Sequence, residues 1–200
     1  MLASAVAGPW GHAAPLGVGS HTVSQTEGFQ ISAARQRLAD ELTALRSGLP
    51  RDAASDLVRA ESVGAELLTR LLELGGGSVA CILLTLAAQT PDGLELPSGI
   101  AAMEERIMST ALQLLTPTLR KSDLVLRVGM LGVAWLLPGS GALEARGLGR
   151  RLWGLLDGQH FRFADESLRL HCRLGLSSAG RGRDTDLGRL LVEAARNPLM

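Results

Sequence analysis

The sequence has no excess of charge of either sign. Among 200 residues, 20 Lys and Arg balance 20 Asp and Glu, and the pI is about 6.9. A neutral chain produces no long-range field that would attract DNA, RNA or an anionic membrane. We therefore expect no nucleic-acid partner, and any anionic ligand has to be held by a local cluster of arginines.

Cysteine is scarce. Cys81 and Cys172 lie far apart in apolar stretches, and neither belongs to a CxxC or a Cys/His metal-ligand spacing. This usage is typical of buried, inert thiols in a reducing compartment, so we expect a cytoplasmic protein.

Targeting and membrane-spanning segments are also missing. The first twenty residues, MLASAVAGPWGHAAPLGVGS, have neither the basic start nor the unbroken apolar run of a signal peptide. No window free of charge and glycine approaches the length of a membrane span. Residues 1–30 are rich in small residues without periodicity, which predicts a flexible leader or linker before a domain at residues 31–200.

The rest of the chain has enough apolar residues for a core, at 46% hydrophobic residues and a mean hydropathy of +0.19. Apolar periodicity predicts helices at 31–46, 52–74, 100–119, 142–156 and 186–196, and strands at 78–87, 160–163 and 167–177, with a β-hairpin inside 120–141. This order predicts an α/β (α+β) domain in which one mixed β-sheet is flanked by helices.

The hairpin RKSDLVLRVGMLGVAWLLPGSG, residues 120–141, is unusual at its tip. The turn is marked by Gly129 and Gly132, but the residues between them are Met130 and Leu131. A tip without polar side chains is disfavoured in water, so this tip has either lost polar residues or, as we favour, forms a surface that a partner covers. In the preceding strand, Arg127 is interpreted as an outward-pointing edge residue.

These residues resemble a degenerate GGDEF domain, the diguanylate cyclase fold. RVGMLGVAWLLPGS matches the family's RYGG(D/E)EFxxLLPGT in register, and weaker similarities extend the resemblance over roughly residues 40–197. DELTAL is similar to the family's opening DxLTGL, and LGGGSVACILLTL is similar to its first core strand. SLRLHCRLGLSS is similar to the strand VTVSIGVA, and residues 186–195 are similar to the closing helix. The resemblance implies a nucleotide-cyclase-like sheet.

The departures from the family pattern imply that the domain is not an enzyme. Active members join two GTP molecules with two metal ions held by acidic side chains. Thr85 and Ala87 occupy the positions of the family's two first-strand aspartates. The signature positions carry no acidic side chain and are Gly129, Met130, Leu131, Gly132 and Val133. Since hard cations need oxygen ligands, we expect no metal, no cofactor and no cyclase activity.

One family site is retained in the sequence. Arg120 and Asp123 form an RxxD motif nine positions before Gly129, which is the spacing of the family's inhibitory product site. The resemblance implies binding of cyclic di-GMP by these two residues and by Arg151 on the helix after the hairpin. The planar guanidinium group of arginine donates paired hydrogen bonds to guanine or to phosphate oxygens, and a carboxylate accepts hydrogen bonds from the guanine N–H groups.

The sequence is compatible with two functions. The first is a cyclic di-GMP receptor in bacterial exopolysaccharide or biofilm signalling. The second is an interaction module that forms a homodimer or binds a protein partner through its apolar hairpin tip, with an incidental RxxD. The lack of a recognisable sensor suggests a fragment of a longer protein or a small stand-alone regulator.

Overall fold

The structure is a computed structural model that describes residues 33, 36–37, 40–41, 43–96, 99–180 and 186–199. The leader predicted at residues 1–30 lies outside the described residues. Residues 37–200 form one compact unit. None of its described helices is long and apolar enough to cross a membrane.

The described residues of this unit form five α-helices, two short 3₁₀ helices and six strands. The helices are α1, whose described end is residues 43–47, α2 (Ala65–Leu74), α3 (Ala101–Leu115), α4 (Ala142–Leu156) and α5 (Leu187–Arg196). The strands are β1 (Val58–Arg59), β2 (Ser78–Gln89), β3 (Leu124–Val128), β4 (Gly132–Pro138), β5 (His160–Phe163) and β6 (Glu166–Gly180).

The strands form a single six-stranded sheet in the order β1-β3-β4-β2-β6-β5. Only β1 and β3 are parallel, and the other four pairings are antiparallel. The predicted mixed sheet flanked by helices is therefore confirmed. Strand β2 lies between β4 and β6, as expected of an almost wholly apolar strand that is buried on both faces.

The sheet separates two hydrophobic cores because alternate side chains of each strand point to opposite faces. Helices α3 and α4 cover one face, where Ile107 and Leu152 pack with Ile82 and Trp135. Helices α2 and α5 cover the other face, where they pack against a second group of buried apolar side chains that includes Cys81.

The single helix predicted at 52–74 is wrong. The Asp52 carboxylate accepts hydrogen bonds from the Ser55 N–H (2.9 Å) and the Ser55 hydroxyl (2.6 Å), which holds a turn instead of a helix. Asp56 then has a φ of 55°, and Val58–Arg59 pairs with β3. Helix α2 begins only after Gly64.

The end of the predicted helix 100–119 also differs. Helix α3 stops at Leu115, and Thr116–Thr118 form a 3₁₀ turn that contains Pro117. Proline cannot donate the hydrogen bond that would continue the α-helix.

The free edge of β6 is partly covered by the segment that follows α5. The Leu176 N–H donates to the Asn197 carbonyl (3.1 Å), and the Leu199 N–H donates to the Leu174 carbonyl (2.7 Å). Strand β5 pairs only with the start of β6, at residues 166–169. The two partners together protect different parts of the same edge.

Candidate functional site

The β3–β4 hairpin is built on two glycines that no other residue could replace without strain. Gly129 has a φ of +59°, in the left-handed region. A Cβ atom on Gly132 would collide with the Val128 carbonyl oxygen. The tip is also tied to the central strand, since the Leu86 N–H donates to the Leu131 carbonyl at 2.8 Å.

Arg127 holds the tip from inside the sheet. The side chain is only 7% exposed, its Nε donates to the Gly129 carbonyl at 2.9 Å, and its Nη2 donates to the Met130 carbonyl. Burial lowers the pKa of Arg127, and Nη1 has no hydrogen-bond partner among the described residues. The interpretation of Arg127 as an edge residue is wrong, because β1 continues the sheet beyond β3.

The signature side chains differ in exposure. Met130 is 55% exposed at the tip, Leu131 is half-buried against the core of α3 and α4, and Val133 is buried in that core. The tip thus presents one apolar side chain to solvent and anchors the next one.

A cleft of about 490 Å³ opens between the hairpin tip, the end of β2 and the start of α3. Its lining is mostly apolar and consists of Thr85, Leu86, Ala87, Ala88, Glu95, Leu96, Gly99, Met103, Glu104, Ile107, Met130 and Leu131. The two carboxylates are engaged: Glu104 accepts from the Gly99 N–H at 2.8 Å, and Glu95 pairs with Arg173 at 3.0 Å.

The cleft does not fit the two metal ions that active members of the resembled family hold. Thr85 and Ala87 line it at the positions that resemble the family's two aspartates, and Met130 and Leu131 bring no side-chain oxygen. No group of three or more His, Cys, Asp or Glu among the described residues is arranged to hold a metal ion.

The RxxD motif forms a closed turn between α3 and β3. The Asp123 carboxylate accepts from the Arg120 N–H at 3.0 Å, and the Asp123 N–H donates to the Arg120 carbonyl at 3.1 Å. Asp123 is 5% exposed, whereas the Arg120 side chain is exposed. Burial raises the pKa of Asp123, against the opposing effects of the Arg120 N–H and charge.

A second arginine, which no sequence motif indicates, contacts this turn. The Arg46 Nη1 donates to the Asp123 carbonyl oxygen at 3.2 Å. Burial lowers the pKa of Arg46. The two residues are 77 positions apart, so no local sequence signal connects them.

Arg151 is exposed on α4. In the described part of the chain, no hydrogen bond or ion pair joins it to Arg120 or Asp123. The structure therefore joins two of the three predicted ligand residues, Arg120 and Asp123, through a direct bond, whereas none of the bonds of the described residues connects Arg151 to them.

No protein-family model matches the sequence, and no curated protein matches it either. Solved structures do. SiaD from Pseudomonas aeruginosa, a diguanylate cyclase solved with its activator SiaC, is 18% identical with a TM-score of 0.56, over 88% of this chain and 66% of the SiaD chain.

Two GGDEF proteins from Caulobacter crescentus are similar to the same degree. A sensory box/GGDEF family protein is 20% identical with a TM-score of 0.56, over 74% of this chain and 94% of its own. The GGDEF domain of DgcB, solved in complex with c-di-GMP, is 12% identical with a TM-score of 0.56, over 73% of this chain and 83% of its own. At these identities the likeness establishes the fold, and this chain has a GGDEF-like fold.

Proposed function

We propose that this domain is a catalytically inactive receptor for cyclic di-GMP that binds the dinucleotide at the RxxD turn. The observation that carries the proposal is the closed turn itself: its bonds fix the backbone at residues 120–123 while the Arg120 side chain stays exposed for a ligand. A ligand that finds a preorganised site loses less free energy to ordering.

Arg46 supports the same proposal. Its guanidinium lies against the Asp123 backbone, so a second cation flanks the turn beside Arg120. Arginines recognise guanine O6 and N7 or phosphate oxygens through paired hydrogen bonds, each contributing about 1.5–3 kcal/mol. Three such contacts with stacking reach the roughly 8 kcal/mol of micromolar affinity. Arg151 is the third arginine that we propose binds the ligand.

The DgcB domain, solved with c-di-GMP, shows that a GGDEF domain of similar fold takes this ligand. Catalytic inactivity is proposed from the cleft, where the positions that resemble metal ligands are Thr85, Ala87, Leu131 and Gly132. Such receptors act in exopolysaccharide or biofilm signalling, and we propose that context for this chain.

Titration calorimetry with cyclic di-GMP at about 100 μM protein tests the proposal, because micromolar binding gives measurable heat there. We expect saturable binding that Arg120→Ala weakens about tenfold or more, the effect of one lost charge-assisted hydrogen bond. Arg146→Ala, an exposed arginine on α4, is the matched control and should bind as the wild type does. Absence of heat, or equal affinity of both variants, would refute the receptor.

The exposed tip favours a second candidate function, the docking of a protein partner or a second copy at the cleft. Met130 is 55% exposed beside an apolar cleft of about 490 Å³, which is typical of a surface that another molecule covers. The similar SiaD was solved with a protein activator.

Sedimentation and partner capture test this second candidate with Met130→Asp. Loss of self-association or capture in this variant, with both retained in Leu143→Asp, would support docking at the tip. Leu143 is the matched control because it is 83% exposed at the start of α4. A monomer that captures nothing at any concentration excludes this function.

A further inference from the structure

Among the described residues, no helix covers one face of the β5–β6 hairpin. Helix α5 packs over β6 as far as Gly175: the Ser177 hydroxyl donates to the Leu190 carbonyl (2.7 Å), and a Cβ on Gly175 would collide with the Ala194 carbonyl. Toward the β5–β6 turn, the same face continues with exposed or half-exposed side chains.

Most of these side chains are arginine or histidine. Alternation puts Arg169, His171 and Arg173 of β6 on this face, and the pairing of His160 with Arg169 adds His160 and Arg162 of β5. We name these five residues the cationic stripe. Its three arginines carry the charge at neutral pH.

The floor beside the stripe is made of small or neutral side chains. On the neighbouring strand β2, Thr85 pairs with Arg173, Ala87 with His171, and Gln89 with Arg169. The long side chains of the stripe therefore lie beside Thr85, Ala87 and Gln89 of β2, and we call the surface above these three residues the trough.

Two positions of the stripe already bind carboxylates of this chain. Glu95, from a segment that bridges to the end of β2 at Gln89, pairs with Arg173 at 3.0 Å. The Asp157 carboxylate lies 3.0 Å from the His171 Nδ1. No hydrogen bond or ion pair occupies the side chains of Arg162 and Arg169 among the described residues.

We propose that the cationic stripe binds an acidic, extended segment of a partner protein. Glu95 provides an example within the chain, since an acidic side chain from the turn after β2 already binds Arg173 of the stripe. Arg162 pairs with Ser167, so Arg169, two residues further along β6, is its diagonal neighbour at about 7–8 Å. Alternate side chains of an extended peptide are about 6.6–6.8 Å apart, so two alternating acidic residues span the distance between the two free arginines.

The alternative anionic polymer is single-stranded nucleic acid, and the face fits it less well. Such strands bind on surfaces that combine positive charge with aromatic stacking platforms. The stripe has no Phe, Tyr or Trp, since Phe161 and Phe163 point to the opposite face, and the whole chain has no net positive charge.

Fluorescence anisotropy with a labelled peptide of alternating glutamate and serine tests the proposal at about 50 mM salt, where screening is weak. We expect saturable binding that the double variant Arg162→Glu/Arg169→Glu weakens about tenfold or more. The matched control, Arg146→Glu/Arg150→Glu, makes the same charge change on α4 at the other face of the sheet and should bind as the wild type does. Thermal unfolding of both double variants verifies that they fold.

Three outcomes would overturn the proposal. The first is no saturable binding of the peptide by the wild type. The second is an equal loss in both double variants, which means a nonspecific charge effect. The third is tighter binding of an oligothymidylate than of the peptide, with the same loss in Arg162→Glu/Arg169→Glu, which assigns the stripe to nucleic acid.

Discussion

Arg127 is the side chain on which the conformation of the hairpin tip depends. Its guanidinium donates to the carbonyls of Gly129 and Met130. We expect Arg127→Met, which keeps the apolar stem, to lower the free energy of unfolding by about 1–3 kcal/mol in urea titrations, because charge-assisted hydrogen bonds are lost while the tip carbonyls regain water. Arg146→Met, at an exposed position, should change it by less than about 0.5 kcal/mol. Equal effects would refute this role.

The sequence indicates the position of Arg127 on a strand but not the direction of its guanidinium. That direction depends on the left-handed conformation of Gly129, which turns two carbonyls back toward the strand. Likewise, the RxxD spacing identified Arg120 and Asp123, whereas Arg46 reaches the same turn only through the tertiary fold. Contacts of this kind have no periodicity that a sequence reader can use.

Asp123 gives a prediction about pH. Burial raises the pKa of its carboxyl above the usual range of an unfolded chain. At pH values between the pKa of this carboxyl in the unfolded chain and its pKa in the folded protein, the folded protein binds more protons than the unfolded one. The contribution of this carboxyl to the free energy of unfolding therefore falls as the pH rises through this range. We expect the stability of Asp123→Asn, relative to the wild type, to be higher at about pH 7 than at about pH 4. Urea titrations at both values measure it, and a pH-independent difference would contradict it.

At the scale of elements, the contact of α5 with β6 depends on Gly175. A side chain there would collide with the Ala194 carbonyl, so we expect Gly175→Ala to destabilise the fold by about 3 kcal/mol or more. Gly154→Ala is the control, because Gly154 lies within α4 with open space around it. It should instead stabilise the fold by about 0.5–1 kcal/mol. Thermal and urea unfolding compare the two, and the opposite signs are the decisive result.

The elements that the sequence predicted best are those with long, uninterrupted periodicity. Helix α4 and strand β2 lie where the apolar pattern placed them. The predicted helix 52–74 was wrong because local side-chain bonds of Asp52 and pairing of β1 with β3 outweigh helix propensity in its first half. Pairing between distant segments is a tertiary effect that a local pattern does not contain.

For the whole molecule, strand β2 couples the two cores, since Cys81 faces one and Ile82 the other. We expect Leu71→Ala, in the core under α2, to lower the free energy of unfolding by about 2–5 kcal/mol. With Trp10 and Trp153 replaced by Phe, the fluorescence of Trp135, which is buried in the opposite core, should report the same urea midpoint as far-UV circular dichroism. Separate midpoints would show that the faces unfold independently.

Both thiols of the described chain are sealed inside these cores. Cys81 and Cys172 are at most 1% exposed, and burial raises the pKa of each to about 12. Since only the thiolate reacts with maleimides, the native cysteines should stay unlabelled while the protein is folded. A single cysteine introduced at the exposed Leu143 would therefore accept a dye alone. In the unaltered protein, the rate at which thiols become reactive therefore measures the rate of unfolding.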